Sequence, residues 1–131
     1  MKNVFFRIKF VKIIVLVFLS ICSVYSNGGT VVCSGKVDSL SYHSPNKFMV
    51  KLESMNRAVF FCDADTNWNV SGTGYVTGPE SCKTMYSTFL AAKMAGKQIK
   101  SMYFDGADVP VNCSSWESWK SASIRHYVLE D

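Results

Sequence analysis

The chain has 131 residues, 14 of them basic and 10 acidic, for a formal charge of +4. Four of the basic residues, Lys2, Arg7, Lys9 and Lys12, lie in the first 26, so the remainder carries ten of each sign and no net charge. Those charges are mixed along the chain rather than gathered in a basic stripe, which excludes nucleic acid and anionic membrane surfaces as partners.

The same four cations precede IIVLVFLSICSV, an uncharged run with the pattern of a secretory signal peptide. The run is too short to span a membrane. Val24-Tyr25-Ser26 puts a small residue at the cut, so residues 1–26 are expected to be removed and residues 27–131 to form one domain, secreted, and through the periplasm if the source is bacterial. LSIC, ending at Cys22, makes a poor lipidation box because Ile21 is too bulky. Removal of Cys22 leaves Cys33, Cys62, Cys82 and Cys113, an even number in an oxidising compartment, and two disulfides with three possible connectivities. A zinc site would want close Cys or His pairs, whereas His43 and His126 stand alone. No metal or cofactor is expected.

In chain order, TVVCSGKVDSLS (residues 30–41) and KFMVKLES (47–54) read as strands joined by the turn HSPN. On the second, Phe48, Val50 and Leu52 are expected to face one way and Lys47, Lys51 and Glu53 the other. RAVFFCD (57–63) is apolar on both faces and reads as central. A polar loop runs to Pro79. Then Cys82, Met85, Tyr86, Phe89 and Leu90 adopt the spacing of a helical face, with Glu80 or Ser81 as candidate caps and Gly96 as the stop. QIKSMYF (98–104) and SIRHYVLE (123–130) read as the last strands, separated by a turn-rich loop. The order β-β-β-α-β-β predicts a mainly β domain with one helix, namely an OB-fold, the five-stranded Greek-key barrel. Cys62 and Cys82 bracket the polar loop, and a bridge between them would restrain it, leaving Cys33 to pair with Cys113.

Asp63, Asp65 and Asn67 alternate as the ligands of an EF-hand loop do, but the sixth and twelfth positions hold Trp68 and Gly74 where a glycine and a glutamate are required. The loop is read instead as solvent-facing, its Asp and Asn residues making turns. Trp68, Trp116, Trp119, Tyr42 and Tyr75 all fall in loops or turns. Packing over the rim of a small barrel accounts for any one of them; together, among Asn, Ser and Thr, they also suit a carbohydrate site, where rings stack on the apolar side of a sugar and hydroxyls hold its oxygens. Nothing points to catalysis: His126 reads as a partly buried strand residue, His43 lacks a partner, and Asp105 and Asp108 read as solvated loop carboxylates.

CKTMYSTFLAAKMAGKQIKSMYFDG resembles the corresponding segment of the B subunits of subtilase cytotoxin and the typhoid-toxin-like and pertussis-like AB5 toxins. Thr84, Tyr86, Leu90, Gly96, Tyr103 and Gly106 match in register, as do Ser34-Gly35 with Val37 and an Asn46-Lys47 turn. The resemblance implies a non-enzymatic OB-fold subunit forming a homopentamer, which binds sialylated host-cell glycans and carries a separate toxin A subunit. It implies sialic acid contacts from Ser34 and Tyr103, with Thr30 near the place of an acidic contact in some relatives; Trp68 joins them as a loop aromatic. Met49, Met102 and Phe104 are candidates for the subunit contact. A lone secreted OB-like domain that binds a protein or inhibits an enzyme is the alternative, and it would bury those three.

Overall fold

The computed structural model describes residues 28–131, so the expected signal segment, residues 1–26, lies outside the described residues. The strands are β1 (Gly29–His43), β2 (Lys47–Leu52), β3 (Val59–Asp63), β4 (Gln98–Gly106) and β5 (Ser123–Leu129), and the helix is α1 (Pro79–Ala95). They match the predicted elements in number, kind and order. The strands form one antiparallel sheet in the order β3-β2-β1-β4-β5.

β1 organises the sheet because it is long enough to serve two partners. Its first half pairs with β4, from Gly29 opposite Gly106 to Lys36 opposite Gln98, and its second half pairs with β2, from Val37 opposite Leu52 to His43 opposite Lys47. Register shifts at Cys33/Gly35 and Val37/Ser39 mark the changeover, and Gly35 there has φ 109°, a backbone that a Cβ disfavours. Such irregularities bend a strand and increase its twist. The sheet curls until its edges meet: Phe60 N–H donates to Lys120 O at 3.0 Å, and Ala122 N–H donates to Phe60 O at 2.9 Å, a parallel bridge across Phe60 and Ser121. Edge groups that would otherwise template aggregation are thereby paired.

Closure buries β3 on both faces, as its composition predicts; Val59, Phe60, Phe61 and Cys62 are all buried. α1 lies against this core through Cys82, Met85, Phe89 and Ala92. Phe89 meets Phe61 and Tyr127 edge-on, at ring separations of 5.6 and 5.0 Å. Full burial of each such ring is worth about 2–3 kcal/mol before entropy is counted. The helix begins at Pro79, three residues before Cys82, the first of its apolar positions. Pro79 opens it and Gly78 is the N-cap, without a side-chain bond, so neither Glu80 nor Ser81 caps; Glu80 sits instead in the first turn, where it favours the helix dipole. Gly96, with φ 67°, ends it as predicted.

Both disulfides adopt the expected pairing. Cys62–Cys82 ties the end of β3 to the first turn of α1, and Cys33–Cys113 ties β1 to a 3-10 turn at Cys113–Ser115. Three expectations need correction. Met49, Met102 and Phe104 are buried within the single chain, so they offer no surface to a neighbouring subunit. On β2, Phe48 stacks on Tyr86 with ring centroids 4.2 Å apart, yet Met49 on the other face is covered too, beside Phe60 and the loop that carries Trp119. The loop after β3 does turn on Asp63, whose Oδ1 accepts from Asp65 and Thr66 N–H, but it is not solvent-facing throughout, because Trp68 and Val70 anchor it in the core.

Candidate functional site

The outward face of β1, β4 and β5 gathers the polar groups. In the β1–β4 register Thr30 stands opposite Asp105 and Val32 opposite Tyr103, and directly opposed residues share a face. Ser34 follows Val32 by one step on that face and is exposed. In the β4–β5 register Tyr103 opposes His126, their rings 5.7 Å apart. A shift between Tyr103 and Phe104 inserts Arg125 as an extra residue between Ile124 and His126. Ile124 therefore stays buried while Arg125 and His126 both lie outside, which corrects the reading of His126 as partly buried.

That irregularity aims Arg125 across the face. Its guanidinium carbon sits 5.5 Å from the centre of the Tyr103 ring, and its Nε lies 3.5 Å from Asp105 Oδ2. Asp105 is not the solvated loop acid that sequence suggested; it is a buried residue of β4. Thr30 Oγ1 donates to its Oδ1 at 2.6 Å and the Tyr75 hydroxyl donates to its Oδ2 at 2.9 Å. Tyr75 is pushed far above the usual phenol range by burial, then by the hydrogen bond to Asp105 and that carboxylate's charge, with Arg125 opposing. It remains a neutral donor at any physiological pH.

Tyr75 reaches this place because two backbones cross at glycines. A Cβ on Gly28 would lie 2.2 Å from Gly72 O, and one on Gly72, where φ is 85°, would lie 2.7 Å from Gly28 Cα. Ala107 N–H donates to Ser71 O at 2.7 Å and seals the crossing. The result is a cleft of about 310 Å³ lined by Thr30, Tyr75, Asp105, Arg125 and the glycines between. Gly72→Ala is expected to lower stability by about 2 kcal/mol through strain and contact, read as a lower urea midpoint. An unchanged midpoint would mean that the crossing is loose.

Of the four residues expected to bind a glycan, Thr30, Ser34 and Tyr103 share this face, but Trp68 does not join them. Its ring is buried and its Nε1 donates to Ala122 O at 3.0 Å, so it anchors the loop and leaves no face for a sugar. Trp116 is buried as well, whereas Trp119 and Tyr42 are exposed. Sequence reasoning missed Asp105 and Arg125. The alternation of Tyr103 and Asp105 along QIKSMYFDG placed the acid on the tyrosine's side of the strand; the insertion at Arg125 left no mark in the sequence. Among the described residues no cluster of His, Cys, Asp or Glu is arranged to hold a metal. Compared with family models, curated proteins and solved structures, the chain finds no match.

Proposed function

We propose that this is a secreted glycan-binding subunit, an OB-fold domain that assembles as a homopentamer and carries a toxin A subunit to sialylated host-cell glycans. The observation that carries the glycan reading is Arg125. Its Nε faces Asp105 at 3.5 Å and its guanidinium carbon sits 5.5 Å from the Tyr103 ring centre, which leaves the terminal amines as a positioned fork for a carboxylate. The hydroxyls of Tyr103 and Ser34 on the same face suit a polyol tail. Binding is favoured over catalysis because both Asp105 oxygens are already taken by Thr30, Tyr75 and Arg125, so no free base remains there.

The sheet order and the parallel closure of β3 on the segment that leads into β5 support the OB-fold assignment. For assembly, α1 offers an outer stripe without charge, Ser87, Leu90, Ala91 and Met94, with Met94 80% exposed. The burial of Met49, Met102 and Phe104 favours the second reading, a monomeric secreted domain that binds a protein partner.

Light scattering on a sizing column, with a glycan array, tests the proposal. A mass near five subunits is expected, with sialylated glycans retained. Arg125→Ala is expected to weaken them by about thirtyfold, the worth of a charge-assisted hydrogen bond of about 2 kcal/mol. Tyr103→Phe and Ser34→Ala should each cost less. A monomer at all concentrations, with no sialoglycan retained, would move the assignment to the protein-binding domain.

A further inference from the structure

A second cleft, of about 340 Å³, opens beside β2 and the connection that follows it, away from the residues that line the first. Met49 and Ala58 line it, Lys51 and Arg57 bring two cations, and Trp119 forms part of its wall. Trp119 is 66% exposed and has φ 64°, a left-handed backbone that is a genuine outlier for a bulky aromatic residue. Packing alone does not account for it, since an exposed position in that conformation would be better served by glycine.

The segment that carries Trp119 is held on both sides. Before it, the Asn56 side chain accepts from Trp116 N–H at 2.9 Å and donates to Trp116 O at 2.9 Å. After it, Lys120 O and Ala122 N–H are bonded to Phe60. His43 supports the indole edge-on at 5.4 Å, and Phe60 lies tilted against it at 6.1 Å. The ring is thus exposed on a rigid support, which keeps low the entropy cost of ordering it on a ligand. The two cations differ. Lys51 is spent on Asp38 at 2.6 Å, whereas Arg57 is exposed and makes no ion pair among the described residues.

The geometry points to this cleft as a saccharide subsite that takes a pyranose bearing an anionic group. The Trp119 indole covers the apolar face of the ring, while Arg57 pairs with the carboxylate or sulfate; the Ser118 hydroxyl, also in the lining, serves a ring hydroxyl. The inference does not depend on the face of Thr30, Ser34 and Tyr103 binding sugar, because no residue is shared.

Tryptophan emission reads the site directly, since Trp119 is exposed and the other two tryptophans, Trp68 and Trp116, are buried. The oxidised protein is titrated with glucuronic acid, galactose 6-sulfate and neutral galactose. The expected result is a saturable change in emission with one or both acidic sugars, at an affinity at least about tenfold above that for galactose, the value of one ion pair. Whichever acid responds identifies the anionic group. Calorimetry in an Arg125→Ala background, which removes the carboxylate fork of the first face, should find that binding lost on adding Trp119→Ala and reduced to the galactose level on adding Arg57→Gln. Equal responses to acidic and neutral sugars, no saturable response to either acid, or acidic-sugar binding that survives Trp119→Ala in the Arg125→Ala background would overturn the proposal.

Discussion

Replacing Cys33 and Cys113 together with alanine should lower stability by about 4 kcal/mol. The bridge closes a separation of 80 residues, against 20 for Cys62–Cys82, and the unfolded chain gains more freedom from opening the longer loop. A domain of this size has about 5–15 kcal/mol in total, so the variant is expected to be marginal at ambient temperature. Its effect also reaches the second cleft. Cys113 begins the segment that leads through Trp116 to Trp119, and Asn56 N–H bonds Cys113 O at 3.4 Å, so releasing the bridge frees one support of that loop. Equilibrium urea unfolding of the oxidised protein and the double variant measures the difference. A loss below about 1 kcal/mol would mean that native-state strain offsets the entropic gain.

Periodicity revealed the architecture because each element carries its own signal. The 3-4 spacing of Cys82, Met85 and Phe89 could only be one face of a helix, and the unbroken apolar run of β3 required burial on both sides. Three kinds of feature escaped it. Strand irregularities are backbone events, and the insertion at Arg125 reversed the expected side of His126 without any glycine or proline to announce it. Loop position does not say which aromatics pack over the rim and which stay exposed; a small closed sheet needs its loops as lids, and Trp68 and Trp116 serve in that way while Trp119 does not. The third is pairing at long range. Asp105 read as one more solvated carboxylate because its partners lie 75 residues before it in Thr30 and 30 before it in Tyr75. The centre of the candidate site is therefore the part that local sequence could not convey.

Asp105→Ala should bring the second large loss, because this carboxylate joins three otherwise separate pieces of chain. Its side chain is 10% exposed, and its two oxygens hold the start of β1 through Thr30, the long loop through Tyr75, and Arg125 of β5. Hydrogen bonds to a charged group are worth about 1.5–3 kcal/mol each. Arg125 is half exposed and its ion pair is screened, so it adds little. We expect a total cost of about 3 kcal/mol, with Tyr75→Phe and Thr30→Val, each of which deletes one donor to the carboxylate, costing about half of that. The pH dependence has a sign that separates this account from simple loss of packing. The Tyr75 phenol is raised above its unfolded value of about 10, so its contribution is complete below that pH and is lost as pH rises toward the folded value. Wild-type stability should therefore fall on the alkaline side more steeply than that of Asp105→Ala, in which burial alone still raises the phenol. Glycan affinity should fall as well, since Arg125 loses the group that orients its fork toward a carboxylate. A variant that kept its alkaline slope and its affinity would leave Asp105 as a buried acid with no part in organising this face.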